Sequence, residues 1–184
     1  MNVMKLLEVR YRSIKDIPEL NDAYGEFSGT TFKGSVYLTD QPIQTLIGSP
    51  SVVHGNYSCS NTKISSLEGA PRKVIGSFYC SDTRITSLAG APAYIGKTFF
   101  CDDSSLSSLH NVHKQIQYIG NAFVCNTASS HCLGLMFIKN LQQVLLNDKN
   151  VAAIINKHLH MLERDVHACQ EELIDAGFPQ YAKL

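Results

Sequence analysis

The chain has 184 residues with 16 Lys and Arg against 16 Asp and Glu, so its formal net charge is zero. A chain of this length can bury one core with capping elements, and because the charges also balance locally, no segment offers the basic face that nucleic acids require. No apolar run approaches the ~18 residues of a membrane span, and the N-terminus lacks the apolar core of a secretory signal. We therefore expect a cytoplasmic protein with neither a nucleic-acid nor a membrane partner.

Residues 1–31 are predicted to form an N-terminal cap for the repeats that follow. Within this cap, residues 3–11 fit a strand, and Ile14, Ile17 and Leu20 have the spacing of a short helical turn. A cap is needed because the open end of a repeat stack exposes apolar side chains and unpaired backbone groups.

Residues 32–127 carry a repeat with a period of 21 residues. The stretch GNYSCSNTKISSLEGAP, which begins at Gly55, returns at Gly76 as GSFYCSDTRITSLAGAP. A period this short suits a coil of one strand and a short return, so successive strands must lie parallel and stack about 4.8 Å apart. The columns predicted to point inward are Val36, Tyr57, Phe78, Phe99 and Phe123; Leu38, Cys59, Cys80, Cys101 and Cys125; Ile43, Ile64, Ile85 and Leu106; and Leu46, Leu67, Leu88 and Leu109.

The repeat motif, Phe78-x-Cys80-x-x-Thr83-x-Ile85-x-x-Leu88, resembles the leucine-rich repeat in its short bacterial form. The segment SLEGAPRKVIGSFYCS (66–81) and the tail 168–184 are similar to cysteine-containing repeat proteins of tailed bacteriophages. The resemblance implies an α/β solenoid of about five parallel strands with a C-terminal two-helix cap. It also implies a phage accessory protein that binds a host protein, for example to inhibit a defence factor. The Asn ladder of the family is replaced by residues that we expect to hydrogen-bond a neighbouring coil, namely Gln41, Thr62, Thr83 and Ser104.

Residues 128–184 are predicted to form the C-terminal cap. Its first helix would span residues 133–147, and the pair Asn147-Asp148 would provide the break and the N-cap before a second helix that runs from about Lys149 to Gly177. The apolar seam of the second helix either packs against the rest of the chain or forms a short coiled coil in a homodimer. The seam consists of Ile155, Leu159, Leu162, Val166, Cys169 and Leu173, and the first four would form the homodimer contact.

Few residues could carry chemistry, and we predict neither an enzyme nor a cofactor. The cysteine column predicts compact buried side chains, because the paired Cys-x-x-Cys ligands of metal sites are absent. His160, Glu163 and His167 would share one helical face, which leaves a small metal-binding or enzymatic protein as an alternative. The other candidates, which we interpret as turn or solvated residues, are His110, His113 and the pair Asp102-Asp103.

The strand residues between the two inward columns are predicted to face outward on a concave sheet. Exposed aromatic residues rimmed by small polar residues are typical of a protein-binding patch. The alternative interpretation is that the C-terminal helices or a loop cover them, or that they serve only strand propensity. The central line is Tyr37, Ser58, Tyr79, Phe100 and Val124; the flanking lines are Thr39, Ser60, Ser81, Asp102 and Asn126, and Ser35, Asn56, Ser77, Thr98 and Ala122.

We therefore predict a non-enzymatic protein-binding module. Its binding residues would be the central line together with Ser81 and Asp102 of one flanking line. Self-assembly through the second C-terminal helix is the alternative function.

Overall fold

The computed structural model describes residues 13–24 and 29–184, and this part of the chain winds into a solenoid of about six turns. The predicted strand at residues 3–11 lies outside the described residues. The strands that pair are parallel, and pairing partners in the repeats are separated by the predicted period, for example Val36 with Tyr57.

Each of the first five coils contributes two short strands and the last contributes one, whereas the sequence predicted one strand per coil. The second strand forms because the return path also carries β-branched and aromatic pairs such as Val52-Val53 and Tyr94-Ile95. The five-stranded sheet contains, in order, β1 (Thr31–Phe32), β3 (Val52–Val53), β5 (Lys73–Val74), β7 (Tyr94–Ile95) and β9 (Tyr118–Ile119). The six-stranded sheet contains, in order, β2 (Val36–Tyr37), β4 (Tyr57–Ser58), β6 (Phe78–Tyr79), β8 (Phe99–Phe100), β10 (Ala122–Cys125) and β11 (Gln143–Leu146).

Glycine is required at the corner between the two sheets, because the backbones of neighbouring coils come into close contact there. A Cβ added at Gly76 would lie 2.6 Å from the carbonyl oxygen of Gly55 in the preceding coil. In later coils the glycine stands one position earlier, where a Cβ at Gly96 would collide with the carbonyl of Ile75. A Cβ at Gly120 would in turn collide with the carbonyl of Gly96, so the shift is carried into the next coil.

The columns predicted to point inward are buried, and they lie between the two sheets. Four aromatic rings stack through the interior, with centroid distances of 5.4 Å from Tyr57 to Phe78, 5.7 Å from Phe78 to Phe99 and 5.2 Å from Phe99 to Phe123. The cysteine column lies beside these rings and is also buried. Burial of side chains of this size contributes about 1.5–3 kcal/mol each, and it depends on the neighbouring coils that cover them.

The described N-terminal residues support the predicted helical turn. A 3-10 helix at Ile14–Asp16 precedes helix α1 (Pro18–Tyr24). Ile14, Ile17 and Leu20 are buried and belong to the core. They cover part of the N-terminal side of the repeat stack.

The predicted helix over residues 133–147 is wrong. The segment forms a 3-10 helix at Cys132–Phe137 and then strand β11, which pairs with β10 in a parallel ladder. The positive φ of 59° at Asn140 interrupts any helix between the two elements. The solenoid path therefore continues past residue 127, and a four-residue helix, α2 (Val112–Gln115), occupies the irregular coil before it.

The single long helix predicted after Lys149 is also wrong, since it is divided into α3 (Lys149–Leu159) and α4 (Val166–Asp175). Asp148 is the N-cap of α3, as predicted, and Asp165 caps α4 by accepting a hydrogen bond from the Ala168 N–H. The seam residues Ile155 and Leu159 are buried within the chain, Val166 is half-buried, and Leu162 is exposed in the connecting loop. The four residues predicted for a homodimer contact thus share no continuous helical face.

Helix α3 closes the C-terminal edge of the six-stranded sheet. The side chain of Asn156 accepts a hydrogen bond from the Val144 N–H at 2.7 Å and donates one to the Val144 carbonyl at 2.8 Å. The Arg164 guanidinium donates to the carbonyls of Ile138 and Leu141 at 2.6 and 2.7 Å. These side chains satisfy backbone groups that a further coil would otherwise have bound.

Candidate binding surface

One line of side chains crosses the outside of the six-stranded sheet. Tyr37 lies opposite Ser58, Ser58 opposite Tyr79, and Tyr79 opposite Phe100. The line continues through Val124 to Leu145 on β11. We call these six residues, Tyr37, Ser58, Tyr79, Phe100, Val124 and Leu145, the outer line. Leu145 was missed because Val144 and Leu145 also fit the helical spacing that led to the wrong helix.

The predicted register is confirmed, because Tyr37, Tyr79 and Phe100 lie on the outside of the sheet while the cysteine column lies inside. Tyr37 is 56% exposed and Leu145 is 46% exposed at the two ends of the outer line. Tyr79, Phe100 and Val124 are half-buried between them. The prediction that Ser58 faces outward is wrong, since its side chain is only 6% exposed and lies below its neighbours on the outer line.

Two rings at the centre of the outer line stack on each other. The centroids of Tyr79 and Phe100 are 4.8 Å apart and the ring planes differ by 3°. A stacked pair is worth roughly 0.5–1.5 kcal/mol beyond its burial, so both rings are held in place before any partner binds. A surface of this kind loses little side-chain entropy on binding.

One flanking line connects the coils, and we call it the polar line: Thr39, Ser60, Ser81, Asp102 and Asn126. Ser81 Oγ accepts a hydrogen bond from the Asp102 N–H at 3.1 Å, and Asp102 Oδ1 accepts one from the Asn126 N–H at 2.8 Å. Thr39 Oγ1 and Ser58 Oγ are 2.7 Å apart and share a hydrogen bond. The predicted binding residues Ser81 and Asp102 are therefore half-buried beside the outer line, with side chains that already serve the stack.

The second flanking line does not face solvent as predicted, because Ser77, Thr98 and Ala122 are buried. Its side chains accept hydrogen bonds from the next coil: Ser35 Oγ from the Asn56 N–H at 3.0 Å, and Asn56 Oδ1 from the Ser77 N–H at 2.9 Å. This line forms a polar ladder between coils, which the sequence had predicted at other positions, namely Gln41, Thr62, Thr83 and Ser104.

Two hydroxyl groups predicted to form that ladder, those of Thr62 and Thr83, bond within their own coil, whereas Ser104 Oγ also lies 3.3 Å from Thr127 Oγ1 of the next coil. Thr62 Oγ1 donates to the Cys59 carbonyl at 2.7 Å, and Thr83 Oγ1 donates to the Cys80 carbonyl at 2.8 Å. A hydrogen bond to the residue three positions earlier stabilises the turn that follows each strand. The prediction of hydrogen bonds to a neighbouring coil is therefore wrong for Thr62 and Thr83.

Carboxylates lie along the ends of the strands next to the polar line. Three of them, at Asp40, Asp82 and Asp103, share positive φ values of 63°, 54° and 52°, a conformation that Asp and Asn tolerate better than most residues. We call Asp40, Asp82, Asp102 and Asp103 the acidic edge. Among the described residues none of the four belongs to an ion pair. Asp82 and Asp103 are 21 residues apart, and Asp40 precedes Asp82 by two periods of the repeat.

A shallow groove of about 430 Å³ lies against part of the acidic edge. It crosses three coils, and its lining includes Asp40 and Asp82 together with the cations Lys63 and Arg84. Within the groove the two carboxylates are matched by the two cations, and Asp102 and Asp103 lie outside its lining.

The thiols of the cysteine column are buried and protonated, and this makes them unreactive in the folded chain. Burial raises the pKa of the Cys59 and Cys80 thiols above the ordinary value, so both stay protonated. Cys59 Sγ donates to the Tyr79 carbonyl at 3.4 Å, and Cys80 Sγ donates to the Phe100 carbonyl at 3.3 Å. These thiols are free, as predicted for a column of compact buried side chains.

The residues predicted for a metal site do not come together. His160 lies at the end of α3, and His167 lies in α4 after the break, so they share no helical face with Glu163. The described residues contain no group of three potential metal ligands. His110 Nδ1 instead lies 2.7 Å from the carbonyl oxygen of Leu184, and His113 packs against the ring of Phe137.

A polar cluster that sequence reasoning missed joins the two C-terminal helices. The buried His158 of α3 has Nε2 at 2.7 Å from Glu172 Oε2 of α4, and Lys157 Nζ lies 2.7 Å from the same oxygen. Hydrogen bonds from Lys157 and then His158 lower the pKa of Glu172. The cluster fixes α4 on α3 and lies on different elements from the outer line.

Comparison of the chain with protein families, curated proteins and solved structures found no match. In the part of the chain that the structure describes, no helix is long and apolar enough to span a membrane. The described residues define the class of the protein, a parallel β-solenoid, and the outer line is its candidate binding surface.

Proposed function

We propose that the protein is a non-enzymatic protein-binding module that holds its partner on the outer line. The observation that carries the proposal is a stacked aromatic pair, Tyr79 and Phe100, in an apolar line that ends in exposed Tyr37 and Leu145. Aromatic side chains that are rigid before binding and bordered by polar groups are the usual anchors of protein interfaces. The phage-like repeats extend the proposal to a bacterial host protein as the partner, with inhibition as one consequence of binding.

The alternative that the C-terminal helices cover the aromatic residues has no support in the contacts. Helix α3 packs against β11 and α4, and its Asn156 engages the edge of the sheet, not its outer face. Tyr37 stands at the opposite end of the sheet from β11. Strand propensity alone explains a Tyr or Phe on a strand but does not require the exposed ends to be apolar.

The test is capture of partners from bacterial lysate by the full chain and by a double variant, Tyr79→Ala with Phe100→Ala. A matched control is Tyr94→Ala with Tyr118→Ala, which removes a stacked pair at 4.5 Å from the five-stranded sheet. We expect the first double variant to lose the specific partner and the control to keep it, since each hot-spot aromatic costs about 2 kcal/mol or more. Equal capture by both variants, with circular dichroism spectra unchanged, would reject the outer line as the binding surface.

A second candidate function is self-association, which the loop between α3 and α4 favours. Leu162 in this loop is fully exposed and Met161 beside it is 41% exposed. Light scattering of the purified chain and of Leu162→Ser tests the idea. A concentration-dependent oligomer that the substitution dissolves would support it, and a monomer at all concentrations would exclude it.

A further inference from the structure

The outward side of the five-stranded sheet brings together cations from separate coils. Lys73, Tyr94 and Tyr118 lie opposite one another on β5, β7 and β9, and Lys139 pairs with Tyr118 through an isolated parallel bridge. The residue that follows each of the first three is buried, so this row faces away from the core. We call the row and its two flanking cations the basic face: Arg72, Lys73, Tyr94, Lys97, Tyr118 and Lys139.

The charge on this side of the solenoid has one sign. The segments that form the five-stranded sheet and its last bridge contain five Lys and Arg residues and no Asp or Glu; they are residues 30–34, 51–55, 72–76, 93–97, 117–121 and 138–140. The four cations of the basic face are exposed, and none of them forms an ion pair with any residue that the structure describes.

The carboxylates nearest to these cations along the chain lie on other parts of the coils. Glu68 belongs to the turn before Arg72, and Asp102 belongs to the polar line of the other sheet. No continuous stretch of sequence shows the positive excess, because each coil supplies only one or two of the cations. Stacking of the coils creates it, so a charge count within continuous segments does not reveal it.

The basic face is longer than it is wide. A strand of this sheet has two residues and is about 7 Å long, whereas Lys73 and Lys139 are separated by three strand spacings, about 14 Å, along the stack. A linear polyanion that lies along the stack would therefore meet cations from successive coils. The narrow width suits a single polymer strand.

The two tyrosines add neutral hydrogen-bond donors between the cations. Their rings stack at 4.5 Å, and Lys73 Nζ lies 4.7 Å from the ring centroid of Tyr94, so ring contacts hold these side chains in place. Neither hydroxyl has a hydrogen-bond partner among the described residues, and neither is sealed from solvent. Lys and Arg cations and Tyr hydroxyls are among the usual donors to phosphate oxygens.

We propose that the basic face binds single-stranded nucleic acid through its phosphates, with the strand lying along the stack of coils. Three of the four cations are Lys, which binds phosphate as a point charge, whereas Arg favours the bidentate pairing that carboxylates also offer. The ring faces are already used within the chain, so the bases are not read and binding does not depend on their sequence. This inference goes beyond the proposed function and uses the other sheet.

The test is fluorescence anisotropy of a labelled oligothymidylate of about 12 nucleotides, titrated with the full chain from about 50 to about 200 mM NaCl. We expect log Kobs to fall with log[NaCl] with a slope of about −2 to −3, the value for three to four phosphate contacts on a single strand. Absence of binding at about 50 mM NaCl would overturn the proposal. Tighter binding of a duplex of the same length, or equal displacement by oligoglutamate of the same charge, would also overturn it.

A pair of double variants with equal changes of net charge locates the site. Lys73→Gln with Lys139→Gln should weaken binding about tenfold or more and make the salt slope shallower by about 1.4. The matched control is Lys63→Gln with Arg84→Gln, at exposed positions of the groove, and it should leave both quantities unchanged. Equal losses in the two variants would show that net charge alone attracts the oligonucleotide, and full binding by the first would reject the basic face.

A third double variant tests the hydroxyl groups without disturbing the ring stack. Tyr94→Phe with Tyr118→Phe should weaken binding about threefold at every salt concentration, because a neutral hydrogen bond to phosphate releases no counterion. A change in the salt slope for this variant would contradict the role given to the hydroxyls. Circular dichroism and urea unfolding of each variant confirm that the solenoid is intact.

Discussion

Replacing Asn156 by Ala tests how the C-terminal edge of the solenoid is closed. The side-chain amide of Asn156 occupies the place of a further strand beside β11, since it pairs with both the N–H and the carbonyl of Val144. Alanine leaves one donor and one acceptor unpaired. Each costs about 0.5–1.5 kcal/mol where water can replace the lost partner and up to ~3 kcal/mol where it cannot. Asn156 is half-buried, so we expect a loss of about 2–3 kcal/mol in the free energy of unfolding.

The assay is urea unfolding at 25 °C, followed by far-ultraviolet circular dichroism. Asn150→Ala is the matched control, because Asn150 is exposed on the same helix and its side chain makes no hydrogen bond in the described part of the chain. The control should change stability by less than about 0.5 kcal/mol. Asn156→Asp should lose at least as much as the alanine variant, because its carboxylate faces the Val144 carbonyl. A loss for Asn156→Ala no larger than that of the control would refute the edge-closing role.

Three further predictions concern the core, the C-terminal helices and the cysteines. Phe99→Ala should destabilise the chain by about 3–5 kcal/mol, because Phe99 is fully buried between two rings, whereas Phe100→Ala should cost about 1 kcal/mol; equal losses in urea unfolding would contradict the register. Because its pKa is lowered, ionised Glu172 contributes to folding stability above the ordinary value of 4.5, and this contribution is lost as the pH falls through the folded-state pKa. Glu172→Gln should therefore flatten the acid side of a plot of melting temperature against pH. A profile unchanged by that substitution would remove the role given to the cluster. Finally, the six buried thiols should react with Ellman's reagent at pH 8 only as the chain unfolds in denaturant, and rapid labelling of native protein would contradict their burial.

The sequence predicted the interior of the solenoid correctly, because every coil must place the same kind of side chain at the same depth. Phe78 and Cys80 repeat in register with the coils on either side, so the strand, its parallel neighbours and its buried face followed from one period. The second strand of each coil was missed, since a two-residue pair such as Lys73-Val74 is too short to show alternation. Only the stacking of coils converts it into part of a sheet.

Errors at the C-terminus arose where one pattern fits two structures. Leu141, Val144 and Leu145 have helical spacing, yet Asn140 adopts a left-handed conformation and β10 offers a free edge, so the segment pairs as a strand. The seam in residues 155–173 also fits an unbroken helix, but Asp165 provides a strong N-cap that starts a second one. Strand pairing decided the first case and helix capping decided the second. The spacing of apolar residues reveals neither effect.

The outer line and the corresponding row on the five-stranded sheet each contain a stacked aromatic pair, yet they differ in what remains available for a partner. On the five-stranded sheet, the ring of Tyr94 is covered on one side by Tyr118 at 4.5 Å and approached by Lys73 Nζ at 4.7 Å from its centroid. Cation–π and stacking contacts thus already use this row within the chain. On the six-stranded sheet, Tyr37 has no ring partner in the described residues and Ser58 interrupts the stack. The ring faces of the five-stranded sheet are used within the chain and stabilise that sheet. The interrupted outer line leaves ring surface exposed. We therefore place the partner on the outer line.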